Sequence, residues 1–144
     1  MRLSCKKLSI VLLFSTLACR SVSEPARIAA DFVLDNINGR PLPTFVSPIP
    51  EVPSIVSATL HFDRSGKVVM TELQRDMSQS EVRVTYTLDY RISGNRVDIG
   101  CFGPAAASAL CVVGFSGTIS DYGLSLMTSP GQSVIYNYKI APTL

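Results

Sequence analysis

The chain has 144 residues, 47% of them hydrophobic, with 13 Lys plus Arg, 11 Asp plus Glu and one histidine. That is long enough for one domain with a core and too apolar for global disorder. No basic patch or stripe runs through it, so the electrostatic footprint of a nucleic-acid binder is missing.

The first stretch, Met1–Arg20, has Arg2, Lys6 and Lys7 at its head and the apolar run Leu8–Leu17 behind them. Small residues and Cys19 follow. A basic start, a short apolar core and a small-residue exit are the anatomy of a secretory signal. The apolar run is too short to span a bilayer as a helix. Residues 1–18 are therefore expected to be removed, and 19–27 to form a tether. Without residues 1–18, Lys plus Arg falls from 13 to 10 against 11 acids, a net charge of −1.

Cysteine usage fits export. Cys5 lies inside the signal, which leaves Cys19 and the later pair Cys101 and Cys111. In an oxidising compartment Cys101 and Cys111 are expected to form a disulfide; the competing reading is two buried thiols. Two cysteines and one distant histidine fall short of four zinc ligands, so no metal is expected.

From Ile28 onward the chain reads as β structure. A strand is expected around Asp31–Ile37, with a helical start at Pro25–Phe32 as the competing reading. Asn38-Gly39 is a turn dipeptide because both residues tolerate positive φ. Pro41, Pro43, Pro48, Pro50 and Pro53 then exclude a central strand, since proline offers no backbone donor. Arg40–Pro53 is read as a surface loop or edge segment, either a lid over a barrel mouth or a plain connection.

Ser57–Asp63 alternates, with Ala58, Leu60 and Phe62 inward, and Arg64-Ser65-Gly66 turns it into Lys67–Gln74. The strongest pattern is Glu81–Ile92. Val82, Val84, Tyr86, Leu88, Tyr90 and Ile92 take one parity, and Glu81, Arg83, Thr85, Thr87, Asp89 and Arg91 the other. Successive strand side chains point to opposite faces, so this segment has one oily and one wet face. Ser93-Gly94-Asn95 leads into Arg96–Phe102. Further strands are expected at Ala109–Phe115, Leu124–Thr128 and Ser133–Ile140. Eight strands with short links predict an all-β, antiparallel, up-and-down eight-stranded barrel or strongly bent meander over residues 28–144. A Greek-key sandwich is the alternative.

Three stretches resemble small lipocalin-like bacterial lipoproteins. They are Phe32–Pro43 with its Asn-Gly and Pro-Leu-Pro, Leu60–Val68, and Leu88–Ile99. The resemblance covers most of the chain and implies a lipocalin-like barrel. It carries no functional residue across. Thr16-Leu17-Ala18-Cys19 likewise resembles the bacterial lipobox, which implies a lipid on Cys19 and, with Arg20 next, an outer-membrane lipoprotein in a Gram-negative host. Cleavage after Ser23, giving a secreted or periplasmic protein, is the competing reading.

Catalytic signals are weak. His61 is the sole histidine, and it alternates with inward residues, so it is expected on the wet face. Asp63, Glu81, Asp89 and Asp98 are scattered on wet faces, unlike a working carboxylate pair. There is no nucleophile elbow and no phosphate-binding glycine loop, so neither an enzyme nor a cofactor is expected. Phe32, Leu60, Tyr86, Tyr90, Tyr136 and Tyr138 share parity with core residues and could line a cavity for a small apolar ligand. A packed barrel that serves as an interaction module, or inhibits a secreted hydrolase through Gly103–Ser108, is the alternative.

Overall fold

Period-two alternation broken by turn chemistry builds the molecule. The computed structural model describes residues 26–47, 52–102, 114–128 and 133–142. The signal segment 1–18, Cys19, most of the tether, Gly103–Ser108, Cys111 and all but the last two residues of the strand expected at Ala109–Phe115 lie outside the described residues. The strands are β1 (Ala30–Ile37), β2 (Arg40–Pro41), β3 (Thr44–Phe45), β4 (Ser54–Phe62) and β5 (Lys67–Arg75). They continue with β6 (Glu81–Ser93), β7 (Arg96–Gly100), β8 (Phe115–Ser120), β9 (Gly123–Thr128) and β10 (Ile135–Ile140).

Eight of these strands form a closed antiparallel barrel in meander order. Each of β4 to β10 pairs with the next in sequence, β10 pairs with β1, and β1 closes on β4 through Phe32↔Leu60 and its neighbours. The meander excludes the Greek-key sandwich. β2 and β3 are two-residue additions: β2 hydrogen-bonds to β1 and β3 to β4. They lie in the proline-rich stretch expected to be a loop or edge segment. Residues 26–29 are irregular and Ala30–Phe32 is strand, so the helical start does not occur among the described residues.

Two bulges correct the inward parity. In β1 the register shifts between Leu34 and Asn36, which lets Phe32, Leu34 and Ile37 all face inward. In β4 it shifts between Ile55 and Ser57, so Ile55 joins Ala58, Leu60 and Phe62 inside. An extra residue on one strand flips the side-chain phase beyond it and tightens the bend, which closure requires.

Turn chemistry follows the residues. Asn38 (φ 52°) and Gly39 (φ 74°) take the left-handed region between β1 and β2. Asn36 Oδ1 accepts from the Gly39 N–H at 3.1 Å and from Asn137 Nδ2 at 2.8 Å. Asn38 Oδ1 accepts from the Ile135 N–H at 2.8 Å, tying this turn to the start of β10.

A packed core occupies the barrel from the end where β1 begins, with Phe62 fully buried at 0% exposure. Phe32 and Tyr90 each meet Phe62 edge-on, with ring centroids at 5.6 Å and 4.9 Å. On the outer wall, ion pairs join Lys67 to Asp89, Arg75 to Glu81, Arg96 to Asp98 and Lys139 to Asp35. These carboxylates therefore lie on wet faces, as their sequence parity predicts.

Candidate functional site

The two ends of the barrel differ. At one end, where β1 begins and β4 finishes, Ile28 and the turn after β4 close over Tyr90. The Tyr90 hydroxyl donates to the Asp63 carbonyl at 2.7 Å and accepts from the Ile28 N–H at 2.9 Å. A buried hydroxyl satisfied on both sides holds chain entry, turn and barrel wall together. Outside this clasp lies a shallow crevice of about 260 Å³ bordered by Arg27, Asp89, Arg91 and Phe102. Its charges are spoken for: Arg27 donates to the Ser65 carbonyl, Asp89 pairs with Lys67, and Arg91 stacks 4.1 Å over Phe102.

At the other end β5, β7 and β9 finish and β6, β8 and β10 begin. Here a cavity of about 360 Å³ enters the barrel. Val46, Val52, Pro53, Ile55, Met70 and Phe115 give it an apolar wall. Glu72, Gln74, Tyr86, Thr128 and Tyr136 add polar groups. The volume lies within the range of small-molecule sites, and so does an apolar wall with a few placed polar groups.

Glu72 is the unusual member. It shares the inward parity of Val68 and Met70 and is only 7% exposed. Gln74 Nε2 donates to Glu72 Oε2 at 2.7 Å. Burial raises the carboxyl pKa above its ordinary value, and the Gln74 bond offsets part of that rise. No Lys, Arg or His is among the described residues that line the cavity, so no cation there neutralises the acid.

Two tyrosines from β10 complete the polar set. Tyr136 borders the cavity and packs edge-on against Phe115 at 5.8 Å. Its pKa is pushed up to about 12, by burial first and by the Glu72 charge second. Tyr138 lies two residues deeper on the same inward face and is 3% exposed. Burial raises its pKa further, and Glu72 and then Tyr136 add to the rise. Its hydroxyl has no hydrogen-bond partner among the described residues.

Of the six residues offered from sequence as cavity lining, the structure places Tyr86 and Tyr136 on the cavity. Phe32, Leu60, Tyr90 and Tyr138 are buried in the core, Tyr90 in the clasp at the far end. Sequence reasoning missed Glu72 and Gln74. Their signal was the alternation Val68, Met70, Glu72, Gln74, which the apolar Val69 obscures. His61 sits on the outer wall against Asp31, its cross-strand neighbour at the barrel seam. Among the described residues no His, Cys, Asp and Glu cluster could hold a metal. Cys101 follows β7 half-buried.

The chain matches no protein-family model, no curated protein and no solved structure. What stands is an eight-stranded antiparallel β-barrel with an acid-bearing cavity at one end.

Proposed function

We propose that this protein is an exported, lipid-anchored barrel of lipocalin-like type, which carries a small, mainly apolar ligand without catalysis. The observation that supports this reading is the 360 Å³ cavity at one end, apolar in most of its wall, in a barrel clasped shut at the other. An apolar wall takes up an apolar body through the area removed from water, and a few polar groups orient it. Export and anchoring rest on the basic, apolar and small-residue order of residues 1–18 and on Cys19. The same reading makes the protein an outer-membrane lipoprotein, with Cys101 and Cys111 joined.

The experiment is mass spectrometry of protein made in an exporting host and gently extracted. Native mass is compared with denatured, unreduced mass. A small molecule lost on denaturation supports the ligand carrier. A bare barrel that also takes up no apolar probe sinks it. The denatured mass reports lipid on Cys19 and the loss of two hydrogens from the late cysteines. An unlipidated chain starting at Glu24 refutes the anchor.

A protein-interaction role is the second reading, and one observation favours it. β6 is longer than its neighbour β7, which pairs only with Asp89–Ser93. Among the described residues, Glu81–Leu88 is therefore paired on its β5 side alone. Met77 and Val82 are exposed on the same hairpin. Unpaired strand edges are templates for a partner's strand. Pull-down from an envelope extract with wild type and a V82K variant separates the readings: a partner lost in V82K favours interaction.

A further inference from the structure

The cavity is apolar in body and acidic at one point. Glu72 is the one acid among the described lining residues, and it accepts a hydrogen bond from Gln74 Nε2 at 2.7 Å. The groups facing the acid from β10 are tyrosine hydroxyls, and both stay neutral beside it. A neutral hydroxyl can accept as well as donate. Tyr138 Oη is buried with no hydrogen-bond partner among the described residues, at the level below Tyr136. A buried polar atom left unpaired is costly, so a second polar atom within reach would be favoured there. No lining side chain among those described carries positive charge, and Glu72 in its ionised form puts a single negative charge at this point. Such a charge attracts a cation and repels a carboxylate.

We propose that the cavity selects an amphipathic primary amine, its alkyl body against Ile55, Met70 and Phe115 and its ammonium on Glu72. This inference rests on the ligand-carrier reading and narrows it to one class of ligand. An ammonium brings three donors. Glu72 takes one in a charge-assisted bond, the strongest type available to the site. The Tyr136 hydroxyl oxygen, on the cavity wall, is an acceptor for another. A free alcohol gains only a neutral hydrogen bond there, and a fatty acid meets a like charge. The burial that makes an unpaired Glu72 unfavourable also strengthens its attraction to a cation in the same place.

The test is calorimetric titration of the full, exported protein at pH 7 with octylamine, octanol and octanoate. The expected result is octylamine binding at least about tenfold tighter than octanol, as a charge-assisted bond implies, with octanoate weakest. In Glu72→Gln the amine-to-alcohol ratio is expected to collapse to about one. Equal binding of octylamine and octanol by the wild type, or preference for octanoate, overturns amine selection and leaves the carrier reading standing. A ratio that persists in Glu72→Gln overturns the role of Glu72. Failure of all three probes to bind at millimolar concentration overturns the carrier reading and this inference with it.

Discussion

Glu72 on β5 and Tyr138 on β10 enter the barrel from walls separated by β4 and β1, and the charge of Glu72 opposes ionisation of Tyr138. A carboxyl and a hydroxyl with no hydrogen-bond partner among the described residues thus share a mainly apolar interior. Neither polar group adds to the packing. A protein stabilised only by packing would have apolar residues at both positions.

Stability should therefore depend on pH through Glu72. Its pKa is raised in the folded state above 4.5. Between 4.5 and that raised value the folded chain holds more protons than the unfolded one, so stability falls as pH rises. Asp35, Asp63, Asp76 and Asp98 are shifted the other way. Their contribution is present above 3.8 and lost as pH falls below it. The two windows do not overlap. Urea unfolding from pH 4 to 8 should show wild-type stability declining above the ordinary Glu range. Glu72→Gln should flatten that decline and be more stable than wild type at pH 7. A variant less stable than wild type at pH 7 would contradict the sign.

Removing the orphan hydroxyl should stabilise the barrel. In Tyr138→Phe the ring keeps its packing and the unpaired oxygen disappears. The expected gain is about 1 kcal/mol, the lower end of what an unsatisfied buried group costs. Denaturant midpoints of the two proteins check this. A loss of stability would mean that the hydroxyl is satisfied in solution.

The clasp responds in the opposite direction. Tyr90→Phe leaves the ring against Phe62 but deprives the Asp63 carbonyl and the Ile28 N–H of their partner. The expected cost is about 1–3 kcal/mol. Amide exchange at Ile28 should quicken with it. An unchanged exchange rate would show that the entry segment is held by other contacts.

Gly117 on β8 is a position of close approach. A Cβ there would lie 1.8 Å from the Ser125 carbonyl oxygen of β9, and backbone cannot swing aside as a side chain can. Gly117→Ala should force β8 away from β9 and cost roughly 2–4 kcal/mol. Thermal unfolding measures it, and a shift of less than about 1 °C would refute the close approach.

Most of the strands, their order and the wet faces were determined by the sequence alone, because their causes are local; the strand expected at Ala109–Phe115 is the exception, since the described strand there is Phe115–Ser120. The 81–92 alternation assigns each side chain to a face without reference to any other strand. Asn38-Gly39, Ser65-Gly66 and Ser93-Gly94 turn the chain through their own backbone preferences. Short turns leave each strand beside the next, so the meander follows.

Only the tertiary structure decided the rest. Closure of β1 on β4 joins residues separated by the whole proline-rich stretch, and no local pattern encodes it. The bulges after Leu34 and Ile55 change phase where the closed wall must bend, so parity counted along the sequence fails across them. Parity alone also cannot separate Tyr86 and Tyr136, on the cavity, from Tyr90, in the clasp, because all point inward. Their roles differ by depth along the barrel axis, and depth is set by where neighbouring strands end. Glu72 became a site residue for the same reason: inward on β5, it lies at the level where the packed core gives way to the cavity.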